Sequence, residues 1–411
     1  MLLRYRTTEN GTIEKKAQIF TKEEHGIDPR LVDADALWVV RRLRKEGFRA
    51  YIVGGAVRDL VVGRTPNDFD VATDAHPQQI KRLFRSARVI GRRFRLVHVY
   101  CGREKYIEVS TFRSRSALGT IEHAAHPDMN NSFGTMEEDA ERRDFTINAL
   151  YYCPIDQQVI DYVGGYTDLR QRRLRTLIRA EASFAEDPVR MLRAVKYASL
   201  LRFPVPLSIA GLIRRMRESI LSCSRERITE EVYKILTSGA SADILELSRK
   251  LRLFEIIFPA LDREQREARN RFAASKLGAR LRELDASTQE GSALDRNEMF
   301  RFLFHDLIRE RGDILAEPEP ELLIQQYIRA ASAPLFPSKK DLAIAAESFL
   351  LEMRPPHKTR PAHAGPLRGG DRQQGTQEGG ERRPGKRRRR RRGGRGHGMR
   401  GGTGSPPARA P

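Results

Sequence analysis

Apolar residues recur at helical spacing from Leu31 to Glu46, with Leu37, Val40 and Leu43 forming one stripe. The pattern then shortens. Brief apolar runs bounded by glycine and polar residues predict strands at Ala50–Val53, Asn67–Thr73, Arg88–Ile90, Leu96–Tyr100 and Tyr106–Thr111. Between them, Ala56–Val62, stopped by Gly63, and Gln78–Phe84 read as helices. Tyr151–Val163 predicts a hairpin turning at Pro154–Gln158. From about Glu181 the spacing is helical to the end of the apolar-rich region. Residues 1–30 are polar and expected to be loosely ordered. Residues 113–134, with Gly119, Gly134 and Asn130-Asn131, are expected to form a long mobile loop. Thr135-Met-Glu-Glu138 then carries the capping-box pattern that opens a helix. No internal repeat is visible.

Composition sharpens this picture at one end. The chain has 411 residues, enough for two or three domains, with 39% hydrophobic and 31% charged residues. No run of 18 apolar residues occurs, so no membrane span is expected. The opening Met1-Leu-Leu-Arg-Tyr-Arg6 lacks the apolar core of a secretory signal. Cys101, Cys153 and Cys223 are too few and too scattered for a disulfide scaffold or a zinc site, and they suit a reducing compartment. A cytoplasmic location is the expectation. The formal net charge is +21, and +14 of it lies in residues 354–411, which hold 17 Lys/Arg against 3 Asp/Glu. That Gly- and Pro-rich tail contains the run Arg387, Arg388, Arg389, Arg390, Arg391 and Arg392. It has almost nothing to bury, so disorder is predicted. Its charge suits an RNA-binding arm; a solubilising role and a localisation signal are the alternatives.

Candidate chemistry centres on Asp68-Phe69-Asp70. In a strand, both carboxylates would face one way and Phe69 the other. Two carboxylates so close repel unless a cation joins them, and Mg²⁺ with substrate phosphate is the usual solution. Alone, the motif reads more readily as a solvated turn or strand edge. Its surroundings alter that. Gly54-Gly55 stands at a strand end thirteen residues earlier, where backbone N–H groups can approach a phosphate, and Arg58 follows one turn on. Glu108, between Ile107 and Val109, supplies a third carboxylate from a neighbouring strand. Three such groups are what two-metal phosphoryl transfer requires.

Gly54-Gly55-Ala-Val-Arg58-Asp59-Leu, followed by Asn-Asp68-Phe-Asp70-Val-Ala-Thr, resembles the nucleotidyltransferase signature of the polymerase-beta-like superfamily. More narrowly it resembles the class II family of bacterial poly(A) polymerases and CCA-adding tRNA nucleotidyltransferases. Four further blocks follow in that family's order: Glu137 to Leu150, Asp161 to Leu169, Glu186 to Ala194, and Arg225 to Glu231. The resemblance implies an α+β fold. A nucleotidyltransferase head with a small mixed sheet, residues 31–180, would be preceded by an extension, 1–30. It would be followed by a helical neck, 181–245, a helical body, 246–352, and the basic tail, 353–411. It implies two Mg²⁺ ions held by Asp68, Asp70 and Glu108, ATP as substrate, and RNA 3′ ends as acceptors. Asp144 matches an aspartate that the family assigns to the active site. Arg142 and Arg143 would neutralise triphosphate oxygens, and Asn148 would contact ribose. Asp187 and Arg190, three apart on a helix, would present a carboxylate and a guanidinium to the incoming base, with Arg193 and Lys196 continuing that face. From its residues alone, Asp187-Pro188 reads as an N-cap with Pro at the first helical position. The stretch Gly91 to Val99 resembles the poly(A) polymerase version of its strand, as does the Arg-rich tail. Addition of CCA to tRNA and a catalytically inactive RNA-binding role are the alternatives.

Overall fold

The computed structural model describes residues 2–7, 13–91, 95–102, 105–114, 132–267 and 272–353. The chain divides into two units, Met1–Pro355 and Pro356–Pro411. The arginine run and most of the expected 113–134 loop lie outside the described residues.

The first unit is built on a mixed sheet of β1 (Leu2–Thr7), β2 (Ile13–Phe20), β3 (Ala50–Val53), β4 (Asp70–Thr73), β5 (Ala87–Ile90), β6 (Leu96–Tyr100), β7 (Tyr106–Thr111), β8 (Leu150–Cys153) and β9 (Gln158–Asp161). The spatial order is β1-β2-β9-β8-β3-β4-β7-β6-β5. β4 and β7 run parallel; the other neighbours are antiparallel. The first helices are α1 (Lys22–His25), α2 (Ala34–Lys45), α3 (Gly55–Val61), α4 (Pro77–Leu83), α5 (Met136–Glu141) and α6 (Gly165–Arg170). Beyond them the chain is helical: α7 (Ala180–Glu186), α8 (Val189–Leu201), α9 (Leu207–Met216), α10 (Arg225–Leu236), α11 (Ser241–Lys250), α12 (Phe254–Ile257) and α13 (Pro259–Glu267). The last are α14 (Lys276–Gln289), α15 (Met299–Arg309), α16 (Pro320–Ala331) and α17 (Lys339–Met353).

One face of the sheet packs on α2, α3 and α4 through Val40, Leu43, Ile52, Val57, Val71, Ile80, Val97 and Val109. That apolar cluster continues without interruption through Leu192 and Val195 of α8 to Phe300 and Phe349 of the last helices. The other face has a smaller cluster around Val53, Ala72, Phe112 and Tyr151. Burial of apolar area on this scale is the main stabilising contribution to the fold.

Four expectations need correction. Within residues 1–30, the described segments 2–7 and 13–30 form defined elements rather than a loosely ordered extension. β2 pairs with β9, Ala17, Ile19, Phe20 and Ile27 are buried, and His25 is held between the Gln157 carbonyl and the Ile27 N–H at 3.0 Å each. Polar residues alternate there with the few that matter, and a strand needs only one apolar face. The α2 stripe is centred on Ala36, Val39, Val40 and Leu43, while Leu37 is half-buried. Asp68 precedes β4 rather than lying in it; only Asp70 is a strand residue. Asp187 does not cap α8 with its side chain: Pro188 occupies the cap position, and the Asp187 carboxylate turns to Arg227 at 2.7 Å. The capping box at Thr135 and the hairpin β8–β9 form as expected.

Candidate active site

The parallel pairing of β4 with β7 sets Asp70 directly beside Glu108. Asp68, two residues earlier, joins them from the connecting loop. The crowding has an electrostatic consequence. Burial, Glu108 and Asp68 together push the Asp70 carboxyl up from 3.8 to about 7, although the side chain opens onto a solvent-filled cleft. Burial also raises Glu108, against the pull of Lys234 and Arg113. Among the described residues, no three His, Cys, Asp or Glu side chains stand close enough to hold a metal unaided.

The cleft in front of these carboxylates has a volume of about 270 Å³, and Gly55, Arg58, Asp68, Asp70, Arg193, Lys196 and Lys234 line it. The turn at its mouth depends on glycine. Gly54 has φ +72°, a conformation that L side chains rarely adopt, and a Cβ there would stand 3.4 Å from Arg143 Nη1. α3 starts immediately after it, so Arg58 points into the cleft one turn on.

The cations of the cleft are fixed from behind. Arg58 donates to Asn148 Oδ1 at 2.8 Å and to Asp59 Oδ2 at 2.8 Å. Asn148 donates in turn to Asp144 Oδ1 at 3.1 Å, which also accepts the Phe145 N–H at 2.8 Å. Arg193 pairs with Asp144 Oδ2 at 3.0 Å and donates to the Tyr197 hydroxyl at 2.9 Å. Lys196 forms a buried ion pair with Glu231. Arg58, Lys196 and Arg193 surround the Tyr197 ring at 4.7, 5.0 and 5.7 Å from its centre. Burial opposes the charge of Asp144, but Arg193, the Asn148 amide and the Phe145 N–H hold its carboxyl below the usual range.

The structure therefore brings Gly55, Arg58, Asp68, Asp70, Arg193 and Lys196 to one cleft, with Glu108 beside Asp70. Asp144 and Asn148 stand behind it as supports, and Arg143 is buried against Asp139 at 3.0 Å and over Tyr151. Arg142 keeps its Nη1 buried without a hydrogen-bond partner. Asp187 and Arg190 meet only through the backbone, the Arg190 N–H donating to the Asp187 carbonyl at 3.0 Å; the Arg190 side chain pairs with Glu186 at 2.8 Å, and neither residue lines the cleft. Lys234, Glu231 and Tyr197 escaped the sequence reading. Glu231 and Lys234, three apart on α10, are one turn of a single helix face, and that spacing was the available signal. A larger hollow of about 450 Å³ adjoins the cleft, sharing Arg64 and Leu200; no acidic residue is among those lining it, so it has no cation-binding group to do the chemistry.

The third block has a structural task. Asp161 accepts the N–H groups of Val163, Gly164, Gly165 and Tyr166 at 2.8–3.1 Å. Asp168 accepts from the Thr146 hydroxyl at 2.7 Å and from Arg175 at 2.8 Å. A Cβ on Gly165 would fall 2.0 Å from the Thr146 carbonyl oxygen, so this glycine lets α6 press against the segment carrying Asp144 and Asn148.

Comparison with known proteins bears on the same elements. Residues 50–175 match the poly A polymerase head domain, and residues 203–265 match the probable RNA and SrmB-binding site of polymerase A. A poly(A) polymerase I from Salmonella typhi is 43% identical over 262 residues, 62% of this chain and 56% of the relative. A CCA-adding enzyme from Bacillus subtilis is 39% identical over 220 residues, 54% of each protein. The chain thus spans about half the length of these curated relatives. The crystal structure of the Bacillus stearothermophilus CCA-adding enzyme in complex with CTP superimposes with a TM-score of 0.50 at 26% identity, covering 77% of this chain and 82% of that one. The head match takes in every carboxylate and cation of the cleft up to Asp144 and Asn148, so these residues lie in the stretch that the chain shares with poly(A) polymerases and CCA-adding enzymes.

Proposed function

We propose that the protein is a template-independent polynucleotide adenylyltransferase that transfers AMP from ATP to RNA 3′ ends and releases pyrophosphate. The observation that carries this reading is the Asp68–Asp70–Glu108 group, mutually repelling, at the mouth of a cleft lined by Arg58, Arg193, Lys196 and Lys234. The donor set suits Mg²⁺, which keeps several waters and binds through one or two carboxylates plus substrate phosphate. Asp68 and Asp70 would hold two such ions with Glu108 beside them, and the ions would supply a more acidic 3′ hydroxyl and charge relief at the leaving pyrophosphate. Arg58, Arg193 and Lys196 hold the triphosphate in the cleft, with Gly54 and Gly55 letting the backbone come close. Asp144 and Asn148 keep Arg193 and Arg58 oriented. Base choice is assigned to Asp187 and Arg190 by the resemblance of their block to the family's base-reading segment, not by the cleft, which neither lines.

Adenylate addition is favoured over CCA addition by the higher identity and longer match to poly(A) polymerase I. The basic tail, residues 354–411, gives the RNA a further site of attachment. Incubation of generic RNA, and of tRNA lacking its CCA end, with ATP, CTP or both tests the reading. ATP-dependent extension of generic RNA is expected. CTP incorporation confined to the trimmed tRNA would replace the reading with CCA addition, and no extension of either would reject transfer altogether. Among the described residues no helix is long and apolar enough to cross a membrane.

A further inference from the structure

The sheet surface beyond Glu108 carries a group of side chains that the cleft does not use. Alternation along β6 and β7 sends Val97, Val99, Ile107 and Val109 into the core. The opposite face receives His98, Tyr100, Tyr106 and Glu108, with Arg88 from β5. The register puts Arg88 across from His98, His98 across from Glu108, and Tyr100 across from Tyr106. The His98 and Tyr106 rings are stacked, with centroids 4.0 Å apart and planes 10° from parallel. The Tyr100 ring centre lies 6.0 Å from that of Tyr106, and the Arg88 guanidinium stands 5.9 Å above Tyr100. Tyr106 is 47% exposed. His98 Nε2 is 3.7 Å from Glu108 Oε2, so the aromatic group abuts the carboxylates directly.

We propose that Tyr106, His98 and Tyr100, flanked by Arg88, form a stacking platform for the terminal bases of the single-stranded RNA that is to be extended. The proposal rests on the adenylyltransferase reading above. Two sides of the carboxylate group differ in chemistry. The cleft side has several cations around Asp70 and suits a triphosphate. Among the described residues the Glu108 side carries three aromatic rings with Arg88 at their edge, and it suits bases better than a triphosphate. Stacking of bases on aromatic rings is tolerant of sequence, and exposed aromatics on a sheet are a common way to hold single-stranded RNA. An enzyme without a template must accept as primer end whichever base it has just added or first met, so recognition by stacking rather than by hydrogen-bond pattern fits the task. A base stacked on Tyr106 or His98 would leave its ribose within reach of Glu108 and Asp70.

The test uses the full chain and an oligoadenylate RNA ending in 2-aminopurine, whose fluorescence is quenched on stacking. Binding of the wild-type protein is expected to quench it. Tyr106→Ala and His98→Ala should lose most of the quench and raise KM for RNA about tenfold, the scale of a single base stack. KM for ATP should not follow. Tyr106→Phe, which keeps the ring, should restore quenching and RNA KM, and Tyr106→Leu, which keeps only apolar bulk, should not. A Tyr106→Ala/His98→Ala double variant that melts like the wild type and has unchanged quenching and RNA KM would overturn the platform. Quenching by a wild-type protein that transfers no AMP would uphold the platform and defeat the adenylyltransferase reading instead.

Discussion

Two sets of charges meet at the cleft, and they are held in opposite ways. Behind it, Arg58, Asp144, Asn148, Arg193, Lys196 and Glu231 form a closed arrangement in which each cation has an anionic or carbonyl partner. In front, Asp68, Asp70 and Glu108 are gathered with each other, and burial together with these like charges pushes the Asp70 carboxyl up to about 7. The first set is what a fold does to keep buried charges, since an unpaired one is costly. The second is unfavourable for the protein alone and becomes favourable when a cation arrives. The difference separates a positioning set, whose members hold one another, from a crowded set of like charges, although each contains aspartate or glutamate.

The contrast can be broken from either side. Asp70→Asn should reduce nucleotidyl transfer by roughly 10²-fold or more, a loss of a few kcal/mol of transition-state stabilisation. It should leave thermal stability unchanged or raised, because a like charge is removed. A variant that transfers normally, or that unfolds early, would put Asp70 in the positioning set. Asp144→Ala should do the reverse. It leaves Arg193 and Asn148 without their acceptor, and urea unfolding should register a loss of about 3 kcal/mol, with activity falling alongside. Equal stability would mean that Tyr197 alone suffices to hold Arg193. A smaller effect is expected at the pair proposed for base choice: Arg190→Ala should narrow the preference for ATP over CTP about fivefold in competition assays, a shift of about 1 kcal/mol. Unchanged selectivity with a lower melting temperature would confine Arg190 to its bonds with Glu186 and Ser183.

Two further measurements sharpen the comparison at its edges. Removal of residues 356–411 should weaken RNA binding and reduce the log–log salt slope by about 0.7 for each phosphate of a single strand that the tail no longer neutralises. An identical slope would detach the tail from RNA. The smallest expected effect is at His25, a positioning residue far from the cleft. Burial lowers its pKa below 6.5, since Nδ1 must stay unprotonated to accept the Ile27 N–H. The unfolded chain therefore binds the proton more readily, and stability should fall as pH drops below about 6.5. His25→Asn should flatten that slope in unfolding curves taken from pH 7.5 to 5.5. A parallel slope in the variant would assign the acid sensitivity to other groups.

Much of the head was legible because its strands are short, bounded and strongly apolar: β3, β6 and β7 fall on the residues their patterns mark. The meeting of the carboxylates was legible too: Asp68, Asp70 and Glu108 were expected together beside a glycine turn, and the β4–β7 pairing sets Asp70 beside Glu108. The roles of Asp144 and Asn148 were not. Their sequence block says that they belong near the site, but only their bonds with Arg193 and Arg58 turn them into supports. The Asp187–Arg190 pair shows the limit of spacing arguments. Residues three apart can share a helix face, yet Asp187 lies before α8 begins, and each side chain found a nearer partner on α7 or α10.

What the sequence determined by itself was the local and the pairwise: which runs become strands or helices, where glycine must turn the chain, and which carboxylates are close enough to repel. These depend on neighbours a few residues apart. The tertiary structure decided the rest. β2 was recruited into the sheet by β9, from about 140 residues away, and α10 brought Glu231 and Lys234 to a cleft formed by α3 and β4. Only the parallel pairing of β4 with β7 set Asp70 against Glu108, and only the β6–β7 register laid His98 on Tyr106. Such pairings join residues that periodicity treats as independent, and their energies come from burial and charge in three dimensions rather than from the order of the chain.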